Sequence, residues 1–263
     1  MDIILIYLLL GAIAGLIAGL FGVGGGLIIV PVLVYLFTRE GMDPDSLVHL
    51  AVGTSLATIV FTSISSVYAH HKRGAVRWDL FWQLTPGIVI GALIGAAVAD
   101  WMPSVVLRRF FAVFEWLVAF QLLLNTRTKA SRVVPGRAGL FAAGNLIGSI
   151  SSIVGIGGGT LTVPFLVWCN VAMRKAVATS SACGLPIAVA GAVGFIIMGW
   201  STTTTLDWSL GYLYFPALIG IVTSSILFAP LGAKLAHSLP ADKLKRLFGL
   251  LLFALGSYMF LSA

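Results

Sequence analysis

The chain has 263 residues, of which 59% are hydrophobic and 10% charged, and its formal net charge is +7. Soluble domains average about 45–50% apolar and about 25% charged residues, so a water-soluble globule is excluded in favour of a chain that turns apolar surface towards lipid. The basic excess does not point to nucleic acid, because the basic residues fall in short segments beside long apolar stretches, where they report membrane topology.

The first apolar segment, Ile3–Phe21, has Asp2 where a signal peptide needs a basic n-region, and no small-x-small cleavage site follows it. It therefore reads as a membrane segment. The glycine run Gly22–Gly26 separates it from a second apolar segment, Leu27–Phe37. Uninterrupted spans are expected at Leu47–Ala69, Asp79–Ala99 and Ser104–Leu124, each near the roughly 20 helical residues that cross a bilayer. A basic linker, Asn125–Arg137, carries Arg127, Lys129, Arg132 and Arg137. Beyond it lie Ala138–Val154, a second glycine run at Gly155–Gly159, and Thr160–Cys169. Three further spans are expected at Ala176–Gly199, Trp208–Ala236 and Leu244–Leu261. Asp79 and Asp207 are expected to cap span starts, and Asp100 to be solvated at a span end. Cys169 and Cys183 lie in apolar segments and are expected as buried small hydrophobes with no redox or metal role.

The chain is internally repeated. Gly22–Pro31 reads GVGGGLIIVP and Gly155–Pro164 reads GIGGGTLTVP, while Ala51–Ser55 (AVGTS) is matched by Ala176–Ser180 (AVATS). Pro86 and Pro216 begin apolar runs, and Ala99–Pro103 with Arg108–Arg109 is echoed by Ala236–Pro240 with Lys245–Arg246. Landmarks recurring in one order mark two copies of one unit. The positive-inside rule decides how each copy is threaded. If each glycine-broken segment folds back to its starting side, all basic residues except Arg39, Arg108 and Arg109 fall on one side, with the His70–Arg77 loop and the linker. If the broken segments cross once, the distribution loses its bias. The hairpin reading leaves three crossings after each hairpin, so the second copy is upside down relative to the first. The expected fold is an all-α polytopic integral membrane protein of two inverted repeats, each a glycine-broken hairpin followed by three transmembrane helices. Residues 1–124 form the first repeat, 125–137 the basic cytoplasmic linker and 138–263 the second. The protein is expected in a bacterial inner membrane with both termini periplasmic.

The glycine runs carry the functional expectation. Glycine costs about 1 kcal/mol relative to alanine in a helix interior, so G-x-G-G-G breaks the helix. Non-helical backbone at membrane depth persists only where protein covers it or where it lines a wet cavity. Paired breaks in inverted copies resemble the discontinuous helices that form midplane sites in secondary transporters. The helices resuming at Leu27 and Thr160 would present N–H groups and a positive dipole end to an anion, or the glycines would only permit close packing. Candidate substrate-binding residues are Gly24, Gly25, Gly26, Gly157, Gly158 and Gly159. Thr54, Ser55, Thr179 and Ser180 join them, with hydroxyls that either donate to an oxyanion or bond back to their own helix. Glu115 is the one acid well inside a span. It is the proton-coupling candidate, since an intramembrane carboxyl is costly to ionise; the alternative is a protonated side chain bonded to a neighbouring helix. His70–His71 lacks partners for a metal, and neither metal nor cofactor is expected. HExxH, GxSxG and Walker glycine-lysine motifs are absent, so neither an enzyme nor a built-in ATPase is indicated.

With these residues in view, the GVGGGLIIVP and GIGGGTLTVP pair and the AVGTS and AVATS segments resemble the sulfite exporter TauE/SafE family of membrane permeases, over nearly the whole chain. That resemblance implies movement of sulfite, sulfoacetate or another sulfur-containing anion across the inner membrane, with Gly22–Gly26 and Gly155–Gly159 at the family's signature positions. The expected function is secondary transport, in the export direction, of a small sulfur anion. A passive anion channel and a membrane assembly subunit are the alternatives. Expected partners are the small anionic substrate and membrane lipid, with no nucleic acid, and a homo-oligomer is left open.

Overall fold

A computed structural model describes residues 2–21, 25–124, 133–200, 207–235 and 241–262. Among them the helices are α1 (Asp2–Phe21), α2 (Gly26–Arg39), α3 (Leu47–Lys72), α4 (Trp78–Trp101), α5 (Ser104–Leu123), α6 (Arg137–Val154), α7 (Gly159–Trp168), α8 (Met173–Met198), α9 (Phe215–Leu235) and α10 (Ala241–Leu261). Between α8 and α9 a short antiparallel hairpin pairs β1 (Ser209–Leu210) with β2 (Leu213–Tyr214). The fold is the all-α polytopic membrane class expected. Gly24, most of the linker (residues 125–132), the Ser201–Thr205 segment and Ala236–Pro240 lie outside the described residues.

The helices α3, α4, α6, α8 and Phe215–Gly232 of α9 are long and apolar enough to cross a bilayer. α5 was expected as a full span, but Arg108, Arg109 and Glu115 interrupt its apolar run. Large apolar side chains such as Leu5, Leu9, Ile90, Leu117, Leu146, Ile219 and Leu227 are exposed, as lipid-facing positions are. Exposed Trp101, Trp200 and Trp208 sit near one end of the bundle, the position of an interfacial aromatic belt.

Small residues set the helix pairing, because backbones in lipid associate through close packing. Gly87 and Gly91 of α4 abut the carbonyls of Phe141 and Asn145, while Gly144 and Gly148 of α6 abut those of Leu84 and Ile88. A Cβ at any of these positions would overlap the facing backbone. α4 and α6 therefore run side by side in the same direction. The pair α1–α9 is built likewise, with Gly11 and Gly15 against Ile221, Ser224 and Ser225, and Gly220 against Tyr7. α3 runs antiparallel to α8, with Gly53 by Phe195 and Leu56 by Gly191. α5 runs antiparallel to α10, with Trp116 donating to Ser257 and Arg108 reaching Ser262. Exchanging the first five helices for the last five maps this set of pairs onto itself.

The directions follow from contacts at one end. The Tyr7 hydroxyl donates to Glu40 Oε1 at 2.6 Å, so α1 and α2 fold back as a hairpin. His49 Nε2 contacts Ala99 O at 2.9 Å and Ser104 Oγ donates to Asp45 O at 2.6 Å, so α4 ends and α5 begins at that same end. α1 starts there, whereas α6, parallel to α4, starts at the other. The C-terminus of α10 is also at the Glu40 end. There the two Arg108 Nη atoms donate to the carbonyl and hydroxyl of Ser262, each at 2.6 Å. A cation at a helix C-terminus is stabilised by the dipole, which gives Arg108 a structural role at the Glu40 end.

Three further expectations are corrected. The span expected from Trp208 begins at Phe215 instead, because Trp208 and Gly211 take positive φ (63° and 54°) and turn the chain into the β-hairpin. Asp207 accordingly lies in a turn rather than at a helix start. Asp79 is not the N-cap of α4. That position is Arg77, and the Asp79 carboxylate instead accepts from the Arg77 guanidinium, with Nε at 2.8 Å.

Candidate functional site

Both hairpins turn where the glycines lie. α6 ends at Gly155, whose φ of 73° is the left-handed conformation glycine adopts without a Cβ penalty. The Ile156 N–H reaches Ser151 O at 3.0 Å and the Gly155 N–H reaches Ser152 O at 3.2 Å, the paired bonds of a Schellman end. The buried stretch Gly155–Gly158 is then non-helical until α7 resumes at Gly159, with no side chain capping its N-terminus. In the first half Gly25, at φ 77°, precedes α2, which is likewise uncapped by any side chain. The first N–H groups of such helices have no intrahelical partner.

The two breaks touch. A Cβ at Gly26 would overlap the carbonyl oxygen of Gly155 and sit 3.0 Å from Ile156 Cα and 3.2 Å from Ile59 Cδ1. Ser55 Oγ donates to that same Gly155 carbonyl at 2.9 Å. The candidates Gly25, Gly26, Gly157, Gly158 and Gly159 are thus brought to one region, flanked by α3 and α8.

The hydroxyls divide into two groups. Thr54 Oγ1 accepts the Tyr214 N–H and Thr179 Oγ1 accepts the Arg77 N–H, each at 3.0 Å. Tyr214 and Arg77 immediately precede α9 and α4, so these threonines fasten matching connections in the two halves. Ser180 differs: its hydroxyl is buried and has no hydrogen-bond partner. The same holds for the hydroxyls of Ser151 and Ser152 in the last turn of α6, and of Thr160 and Thr162 in the first turn of α7. Around Gly158 an added Cβ would lie 2.9 Å from Ser180 O, 3.1 Å from Gly184 N and 3.3 Å from Thr162 Oγ1. At Gly184 it would lie 3.4 Å from both Gly158 N and Ser63 Oγ. Ser151, Ser152, Thr160 and Thr162 were not singled out from sequence. The signal was present, since TLT follows the second glycine run where LII follows the first.

Buried hydroxyls left without a partner cost about 1–3 kcal/mol each. Their concentration at a buried break followed by an uncapped helix N-terminus gathers unused donors, a setting suited to a group rich in acceptor oxygens. The basic side chains nearest along α8, Arg174 and Lys175, are exposed before its first buried turn.

Glu115 lies elsewhere, in the α5–α10 interface opposite Gly256, where an added Cβ would sit 3.2 Å from Glu115 Cβ. It is 0% exposed and both carboxyl oxygens lack a partner. The structure does not place it against the breaks. Cys169 and Cys183 are buried free thiols, as expected.

Comparison with known proteins agrees with this architecture. The profile described as Sulfite exporter TauE/SafE matches residues 7–259. A probable membrane transporter protein of Haemophilus influenzae is 38% identical over 263 residues, covering 98% of both chains. One of Methanocaldococcus jannaschii is 26% identical over 260 residues, covering 97% of this chain and 94% of its own. Another, from Bacillus subtilis, is 27% identical over 252 residues, covering 93% and 94%. No solved structure matches the chain. A profile match across nearly all of a polytopic helical chain with doubled glycine breaks establishes that the chain belongs to the sulfite exporter TauE/SafE family of membrane transporters.

Proposed function

We propose that the chain is a secondary transporter that exports a small sulfur-containing oxyanion, such as sulfite or an organosulfonate, across the bacterial inner membrane. The observation that carries this reading is the set of buried, unpartnered hydroxyls of Ser151, Ser152, Thr160, Thr162 and Ser180 beside a glycine break. An oxyanion entering there exchanges its water for these hydroxyls and for the N–H groups of the α7 N-terminus. Hydrogen bonds to a charged group contribute about 1.5–3 kcal/mol each, so a few of them offset much of its dehydration. Gly157–Gly159 let backbone approach the ligand, Gly26 packs the first hairpin onto the second break, and Thr54, Ser55 and Thr179 brace the surrounding helices.

The two halves act as inverted repeats, residues 1–124 and 138–263, joined by the cytoplasmic linker 125–137. The basic loops lie inside and both termini outside. One half rocking against the other exposes the site to each side in turn, and Glu115 is the residue proposed to carry a coupling proton. Titrating the purified protein with sulfite, sulfate, thiosulfate, sulfoacetate and phosphate tests the substrate class. Saturable binding of a sulfur anion in preference to phosphate supports it; no binding of any sulfur anion overturns it.

A further inference from the structure

We infer that the substrate seats on one break only, the second, with the first serving as an apolar wall. This deepens the proposed function and rests on its anion site. With the glycine runs aligned, Ser151, Ser152, Thr160 and Thr162 correspond to Ala18, Gly19, Leu27 and Ile29. Every side chain of that set that carries an unpartnered hydroxyl in the second half is apolar, or absent, in the first. Leu27 and Ile29 are buried in the apolar core. The remaining matched pair departs in the same direction: Ser180 is unpartnered, whereas Ser55 donates to Gly155 O at 2.9 Å. The first half thus commits the Ser55 hydroxyl to fixing the second break, and Gly26 packs directly on the same carbonyl.

The fold repeats while the chemistry does not. The unpartnered buried hydroxyls among the described residues belong to α6, α7 and α8, and the Thr162 hydroxyl and the Ser180 carbonyl both flank Gly158, which in turn lies beside Gly184. The ligand class this suits is a compact oxyanion held by neutral hydroxyl and N–H donors, without an ion pair.

The test measures sulfite affinity calorimetrically on full-length protein in lipid nanodiscs. Thr162→Val keeps the side-chain shape and removes the hydroxyl; Ser180→Ala removes the other. Each is expected to weaken sulfite binding about tenfold or more, since a donor to a charged ligand is lost. Thr162→Ser, which restores a hydroxyl, is expected to recover most of the loss. Thr58→Val is the comparison, because it removes a buried first-half hydroxyl already committed to Ser55 O at 2.7 Å. It is expected to change affinity less than about twofold. Sulfite bound normally by both Thr162→Val and Ser180→Ala, or weakened equally by Thr58→Val, overturns the one-sided seat and leaves the anion-transport reading standing. Failure of the unaltered protein to bind any sulfur anion overturns that reading, and the one-sided seat with it.

Discussion

Gly26→Ala probes the contact on which the whole site depends. Gly26 begins α2 in helical conformation, so alanine there gains up to about 1 kcal/mol of helix propensity. Against that gain, its methyl group would overlap Gly155 O and press to 3.0 Å from Ile156 Cα and 3.2 Å from Ile59 Cδ1. The overlapping partners are backbone atoms of the second break, which cannot rotate away as a side-chain tip can. Overpacking of this kind costs about 1–3 kcal/mol. The expected net effect is a loss of roughly 1–2 kcal/mol of stability, with the two breaks pushed apart and sulfite transport reduced. The assay is thermal denaturation in detergent alongside proteoliposome flux. Gly136→Ala is the control, since a Cβ at Gly136 meets nothing within 4 Å, and its effect should stay within about 0.5 kcal/mol. A Gly26→Ala protein as stable and as active as the Gly136→Ala control would refute the contact between the breaks. Gly25→Ala is a poorer probe, because φ of 77° penalises any L side chain whatever the space around it.

Glu115→Gln keeps shape and hydrogen-bonding capacity without a titratable group. Sulfite binding should persist while accumulation driven by a pH gradient is lost; accumulation that still follows the gradient would leave Glu115 a structural residue. Thr54→Val and Thr179→Val each orphan a backbone N–H, of Tyr214 or Arg77. Each should cost about 1–3 kcal/mol of stability, and denaturation midpoints equal to the unaltered protein's would contradict the fastening role. A reporter active only in the periplasm, fused after Ala263, should give signal. Silence there, with signal from a cytoplasmic reporter, would contradict the topology.

Much of the architecture is legible because glycine punctuates helices strongly and the repeat doubles the signal. The hairpin reading follows from where Arg174, Lys175 and the Lys234–Arg246 loop fall, and the Tyr7–Glu40 hydrogen bond agrees with a hairpin at α1–α2. The β-hairpin at 209–214 is not legible, since Trp208–Phe215 is apolar and aromatic like the span it precedes, and only the backbone angles at Trp208 and Gly211 betray the turn. The site is half legible. Repetition drew attention to Thr54 and Thr179, whose repetition reflects a shared fastening role. The free hydroxyls of Thr160 and Thr162 stand where the two copies differ, and a search for likeness passes over differences. Glu115 stands out in sequence by its charge, but its place between α5 and α10 depends on helix pairing that no local pattern encodes.

The central claim, that this chain moves a sulfur oxyanion through the glycine breaks by a coupled carrier mechanism, is tested most directly by sulfite accumulation in sealed proteoliposomes under an imposed pH gradient. The account predicts internal sulfite rising above the external concentration, with the rise abolished in Thr162→Val protein that still reconstitutes. Flux that only ever runs down the sulfite gradient, or accumulation unaffected by Thr162→Val, would contradict it.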